Sequence, residues 1–183
     1  MAYVSQQRKQ ELAPQIKAVL KKYNMKGTIA VRHHSTLVVN IKSGDLDVIG
    51  NWMENDTPVV QNYKESDTAP DHLDVNTYHI GSGYTGEVEN FLTELKDAMN
   101  GEGSDGEQNF DKSDIMTDYF HVGWYIDINI GQWNKPYVFT GEKADPTQIT
   151  KQDLIDMNEG FVNPPKMIRI VRDEWAESAA KFI

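Results

Sequence analysis

The sequence predicts an α+β protein: a single domain over residues 1–183, with an antiparallel sheet built from hairpins and helices packed mainly on one face. Three observations carry this expectation. Residues 118–130 alternate, with Val122, Trp124, Ile126, Ile128 and Ile130 pointing one way and His121, Tyr125, Asp127 and Asn129 the other, the period of a half-buried strand. Two further period-2 runs, Ile29, Val31, His33 and then Leu37, Val39, Ile41, flank the reversal His33-His34-Ser35 and read as a hairpin. Apolar stripes at helical spacing, Leu12, Ile16, Val19, Leu20, Tyr23 and Val88, Phe91, Leu92, Leu95, Met99, supply helices able to cover one sheet face. Hairpins suit an antiparallel sheet and fit a doubly wound parallel one poorly.

The elements follow in order. A first helix ends near Asn24, with Pro14 either in its first turn or inside a longer helix. The hairpin occupies residues 27–41. Residues 43–70 are mixed and polar, with one short helix around residues 47–54 that carries Val48, Trp52 and Met53. Residues 75–80 read as a strand, and Thr85 then caps a helix that stops at Asn100-Gly101. Residues 101–114 hold five acids and one lysine among glycines and polar residues, the composition of an acidic surface loop. The strand of residues 118–130 is expected to turn near residues 132–135 and return through Tyr137, Val138 and Phe139 as a second hairpin. A short helix capped by Thr150, a strand over residues 167–172 and a closing helix after Asp173 complete the pattern, with residues 141–183 as a C-terminal elaboration.

At 183 residues one domain would bury about two thirds of its unfolded surface. The absence of cysteine excludes disulfides and thiolate metal sites and suits a reducing compartment. No segment approaches the ~18 consecutive apolar residues of a membrane span, and the first ten residues lack an apolar signal core. The expectation is a cytoplasmic protein without membrane attachment. Twenty-eight acids against eighteen bases give a net charge of −10, which repels a phosphate backbone and argues against direct nucleic-acid binding. The same charge suits a partner protein with a basic surface.

The chemical motifs are each outweighed by a structural reading. Gly81-Ser-Gly83-Tyr-Thr-Gly86 has dinucleotide-fingerprint spacing. Glu87 and Glu89 in the following helical turn would repel a pyrophosphate, so a glycine-rich turn is preferred and no cofactor is implied. His34-Ser35-Thr36 resembles one half of the histidine-x-threonine pair of two-histidine phosphoesterases, which makes His34 and Thr36 the catalytic candidates. The hydroxyl residue two positions on is missing after His79 and His121, leaving the acid–base pair without its second half. Five histidines at 33, 34, 72, 79 and 121 show no metal-ligand spacing, and no metal is expected. The aromatics of residues 119–139 are interleaved with a single base, Lys135. Core packing therefore accounts for Trp124, and hairpin packing for Trp133, Tyr137 and Phe139, rather than base stacking.

Two blocks carry a family likeness. Lys26-Gly-Thr-Ile-Ala-Val-Arg-His-His-Ser-Thr-Leu-Val-Val-Asn-Ile-Lys-Ser-Gly44 and Ser113-Asp-Ile-Met-Thr-Asp-Tyr-Phe-His-Val-Gly-Trp-Tyr-Ile-Asp-Ile-Asn-Ile-Gly-Gln-Trp-Asn-Lys-Pro-Tyr137 resemble the large polyvalent protein associated domain 29 family of phages and mobile elements, over roughly residues 10–140. His121 stands where that likeness leads one to expect an acidic residue. The resemblance implies association with viral or plasmid cargo, protecting incoming DNA or disarming host defence, and it brings no catalytic residue with it.

The leading expectation is accordingly a non-enzymatic phage or mobile-element protein that binds and inhibits a host defence component, such as an immune complex that handles nucleic acid. His121, Tyr125, Asp127, Asn129, His33 and Ser35 form its candidate binding surface. The alternatives are a small enzyme or nucleotide-binding protein acting on a phosphodiester or signalling nucleotide, and a structural module of a delivered phage assembly that forms homo-oligomers.

Overall fold

Strand β2, Thr36–Gly44, holds the middle of the sheet in a computed structural model that describes residues 2–55, 57–102, 108–114, 116 and 121–141. The chain divides into two compact units, Met1–Gly141 and Glu142–Ile183. The expected helices and strand of residues 150–182 lie outside the described residues, as do residues 103–107 of the acidic loop.

Helix α1, Gln6–Lys22, begins where the Ser5 hydroxyl accepts the Arg8 N–H at 2.9 Å. Leu12, Ile16 and Leu20 recur every four residues along its buried face, and Pro14 sits on an exposed position inside the helix. Strand β1, Lys26–Arg32, pairs antiparallel with β2. Helix α2, Val48–Met53, is capped by Asp47, whose carboxylate accepts the Gly50 N–H at 2.9 Å, within the span expected for a helix. Helix α3, Pro58–Glu65, has no counterpart in the sequence reading, although Thr57 caps it and Pro58 opens it, the N-cap and N1 pattern of a helix start. Strand β3 is only Leu73–Val75. The expected strand of residues 75–80 instead breaks into a turn and helix α4, Ile80–Gly83. Helix α5, Gly86–Asn100, ends on Gly101 in the left-handed region at φ 77°, the stop expected there.

The α+β class holds, and the sheet is mixed. Strands run in the order β1-β2-β4-β3, where β4 is Tyr125–Ile130. β1 with β2 and β3 with β4 are antiparallel, but β2 and β4 are parallel, with Thr36 opposite Tyr125 and Ile41 opposite Ile130. Alternation fixes the faces of a strand and not its direction, so this pairing leaves no mark in the pattern of residues 125–130. The second hairpin is replaced by a continuation: β5, Val138–Phe139, also runs parallel to β2, opposite Ser43 and Gly44. Gly131 turns the chain after β4 at φ 70°, and only glycine fits there, since a Cβ would meet the Tyr137 nitrogen at 2.6 Å. Tyr137 brings it back by donating its phenol to the Leu46 carbonyl at 2.7 Å. The turn expected near residues 132–135 is present, with Gln132 and Lys135 exchanging main-chain hydrogen bonds at 2.9 and 2.8 Å, but Trp133 at its tip is 80% exposed and is not packed as expected.

One sheet face is apolar across β1, β2, β4 and the short β3: Ile29 and Val31, Leu37, Val39 and Ile41, Ile126, Ile128 and Ile130, Leu73 and Val75 share it by register. Phe91, Leu92, Leu95 and Met99 of α5, with Leu12 and Ile16 of α1, bury themselves in the same core, each such side chain contributing roughly 1.5–3 kcal/mol by removal from water. The two helices are tied at the surface by Glu94, which accepts Lys22 Nζ at 2.6 Å and the Tyr23 phenol at 2.9 Å.

The hairpin reversal is conformationally unusual, since His33 and His34 both hold positive φ, at 51° and 56°, and the Ser35 N–H closes onto the Arg32 carbonyl at 3.2 Å. That is the φ pattern of a type I′ turn, for which Asn-Gly is the favoured pair. Replacing His33→Asn together with His34→Gly is expected to stabilise the protein by about 1 kcal/mol, since left-handed non-glycine residues cost ~1–2 kcal/mol each. Thermal unfolding should register this as a rise of roughly 2–4 °C. Lys22 and then Tyr23, hydrogen-bonded to Glu94, hold its carboxyl below the ordinary carboxylate range. A lowered folded-state value stabilises at neutral pH, and the gain is lost as pH falls through that value. Glu94→Gln should therefore narrow the stability difference between pH 7 and pH 3, as followed by urea unfolding at each pH.

Candidate functional site

The polar face of the sheet is assembled by the parallel register. Thr36 stands beside Tyr125, Val38 beside Asp127 and Asn40 beside Asn129, and β1 adds Arg32 opposite Thr36 and Ala30 opposite Val38. The Arg32 guanidinium pairs with the Asp127 carboxylate across β2. With both groups partly exposed, the pair contributes at most about 1 kcal/mol, but it orients two charges on one rigid surface. Asn129 Nδ2 donates to Asn40 Oδ1 at 2.8 Å, fixing the next rung. Thr36 and Val38 are buried between these groups, whereas Tyr125 is 49% exposed.

Residues 3 and 4 lock the end of this face. The Val4 N–H donates to the His34 carbonyl at 2.8 Å and the Tyr3 N–H to the Gly123 carbonyl at 2.7 Å, while the Tyr125 N–H donates to the Ser35 carbonyl at 2.9 Å. The hairpin tip, the start of β4 and the chain before α1 are thus joined by main-chain bonds, and the main chain of Tyr3, a residue 63% exposed, is bonded to Gly123, two residues before Tyr125.

Of the residues singled out by sequence, His33, His34, Ser35, Thr36, Tyr125 and Asp127 gather at this end, and Asn129 lies one rung further on the same face. His33 and His34 are exposed at the turn, and Ser35 Oγ lies 3.5 Å from Thr36 Oγ1. His121 does not belong to the row. The strand begins at Tyr125, not at residue 118, and the His121 ring packs edge-on against Phe110 with centroids 5.0 Å apart. Its N–H donates to Ser113 Oγ at 3.1 Å, and its carbonyl accepts the Lys112 N–H at 2.8 Å.

The reason is Asn109, whose carboxamide takes the place of a neighbouring strand. Its Oδ1 accepts the Trp124 N–H at 3.0 Å and its Nδ2 donates to the Trp124 carbonyl at 2.9 Å. The same group accepts the Phe110 N–H at 3.0 Å and donates to Asn100 Oδ1 at 2.9 Å. Gly123 permits this approach, since a Cβ there would stand 2.8 Å from Asn109 Oδ1. The Trp124 indole, buried as expected, donates to the Met99 carbonyl at 3.1 Å at the end of α5.

Beside Asn109 opens a cavity of about 550 Å³, bordered by Thr36, Tyr78, Lys96, Glu102, Asp111 and Tyr125 among others. The Ser113 hydroxyl, and after it the Ser113 N–H, holds the Asp111 carboxyl below its ordinary range, so it stays ionised at neutral pH. Tyr78 is 84% exposed at the rim.

The glycine run of residues 81–86 has a different role. Asn51 Oδ1 accepts the Thr85 N–H and its Nδ2 donates to Thr85 Oγ1, both at 3.0 Å, so the segment ties α2 to the start of α5. Arg32, Asn109 and Tyr78 were not found from sequence. Counting the hairpin register back from His33-His34 places Arg32 on the polar face, while a side chain acting as a strand partner carries no periodic signal.

Comparison of the chain with protein-family models, curated proteins and solved structures gave no match.

Asn109→Ala should leave the Trp124 N–H and carbonyl without partners and lower stability by about 2 kcal/mol. Urea unfolding would measure the loss, and a red shift of tryptophan emission would report the loosened indole.

Proposed function

We propose that this chain is a protein of a phage or mobile element that binds and inhibits a host defence component through the end of the sheet where Tyr125 is displayed. One observation carries the reading: three exposed tyrosines, Tyr3, Tyr78 and Tyr125, are set around the β4 entrance by backbone contacts and the cavity wall. Exposed tyrosines on a rigid support suit a protein contact, because they offer a large apolar area and a hydroxyl at little entropic cost. The net charge of −10 favours a partner with a basic surface and speeds encounter with it. The likeness of residues 26–44 and 113–137 to the phage and mobile-element domain family supports the biological setting.

A second reading, a small enzyme or nucleotide-binding protein acting on a phosphodiester or signalling nucleotide, draws on Thr36 and Lys96 bordering one cavity, with His34 two residues from Thr36. Nucleotide binding by calorimetry, with turnover lost in His34→Ala, would favour it over the first.

For the inhibitor reading, host cells carrying a nucleic-acid-targeting defence system should regain phage plating when they express the protein. The double variant Tyr78→Ala and Tyr125→Ala should lose at least about tenfold of that protection, the effect of one to two contact residues at ~1–2 kcal/mol each, while melting within ~2 °C of the parent. Absence of protection across several defence systems, with no specific protein partner recovered, would rule the reading out.

A further inference from the structure

β4 has a strand on both sides for only part of its length. β2 accompanies it from Tyr125 to Ile130, whereas β3 meets only Ile128, Asn129 and Ile130. The Tyr125 N–H donates to the Ser35 carbonyl and the Gly131 N–H to the Ile41 carbonyl, so the odd-numbered residues turn their main-chain groups toward β2. Strand geometry then turns the even-numbered ones toward the β3 side. Ile130 and Ile128 face Leu73 and Val75 there, and the Trp124 groups are occupied by Asn109. Ile126 lies between these two closures. The chain leaves the line of β3 at Asn76, whose carbonyl accepts the His79 N–H at 3.0 Å and whose Oδ1 accepts the Tyr78 N–H at 3.1 Å. Among the described residues, no main-chain group stands opposite Ile126.

The vacated line is the cavity beside Asn109, with Val75, Ile126 and Trp124 along its floor. We propose that this gap is a strand-addition site, filled by a short extended segment of a partner protein that is basic in character, lies antiparallel to β4 in line with β3, and exchanges main-chain hydrogen bonds with Ile126. The proposal rests on the protein-binding reading and names its partner's chemistry. An N–H and carbonyl turned toward this cavity without a strand partner are the groups that an added strand engages, and one extended residue satisfies both at once. From Trp124 to Ile128 the line runs roughly 13 Å at ~3.3 Å per residue, room for about three residues opposite Ile126 between Asn109 at one end and Val75 at the other. With Asp127 already paired to Arg32, Glu102 and Asp111 against Lys96 leave the lining with one excess negative charge, on a chain whose net charge is −10.

Amide hydrogen exchange on the full chain, read by NMR, tests the edge directly. In the free protein the Ile126 amide should exchange at least ~100-fold faster than those of Asp127 and Ile128, which are paired on either side. A capped peptide of alternating lysine and valine serves as the probe. Its addition should slow Ile126 to within about tenfold of its neighbours, a copy N-methylated at alternate amides should not bind, and a glutamate–valine peptide should bind at least ~10-fold more weakly. Glu102→Lys with Asp111→Lys should weaken the lysine peptide by a similar factor. Slow exchange at Ile126 in the free protein, no binding of the lysine peptide, binding that leaves Ile126 unchanged, or equal affinity for the acidic peptide would overturn the proposal. Host protection retained by the charge-reversed variant would overturn it while leaving the inhibitor reading standing. Protection of Ile126 by the peptide in a protein that shields no phage would do the reverse.

Discussion

The parallel register between β2 and β4 is the constraint on which the rest of the molecule depends. It places Leu37, Val39 and Ile41 beside Ile126, Ile128 and Ile130 on one face, and Thr36, Val38 and Asn40 beside Tyr125, Asp127 and Asn129 on the other. A shift of one residue would send the isoleucines to the polar side and Asp127 into the core. Burying a carboxylate away from Arg32 is far more costly than any surface contact it could gain. The apolar core therefore enforces the alignment of the polar row, and the candidate site inherits its precision from packing on the opposite side of the sheet.

Around that register the structure uses side chains and turns in place of longer strands. Asn109 closes the edge of β4 at Trp124, and Tyr137 pins the chain after Gly131 so that β5 resumes the line of β4. The Val4 and Tyr3 amides bind the hairpin tip to the start of β4. Each device satisfies main-chain groups that a regular sheet would satisfy with another strand. Among the described residues they leave the Ile126 main chain without a strand partner on the side of β4 away from β2.

What could be read from the sequence followed local chemistry. The hairpin was legible from the alternation of residues 29–41, α2 from the spacing of Val48, Trp52 and Met53, and the end of α5 from the stop signal at Gly101, all patterns that act within a few residues. The start of α3 was equally marked by Thr57-Pro58, but the mixed polarity of residues 43–70 obscured its single buried residue, Val60. Strand direction was beyond local reading, because Ile126, Ile128 and Ile130 alternate identically whichever way their neighbour runs. At the site, Tyr125, Asp127 and Asn129 were legible from period 2 alone. His121 was misplaced by extending that period through Gly123, where Asn109 takes over the pairing. Arg32 needed the register, and Asn109 needed the fold.

Because β2 ends at Gly44 and its parallel neighbour begins only at Tyr125, the central strand must wait for that neighbour during synthesis. About eighty residues lie between them, which at ~5–20 residues per second is a delay of roughly 4–16 s. Over that interval β1 guards one side of β2 while the other side, rich in valine and isoleucine, remains a free template for mispairing. A nascent chain of this protein thus keeps that edge of β2 open until residues 125–130 have left the ribosome.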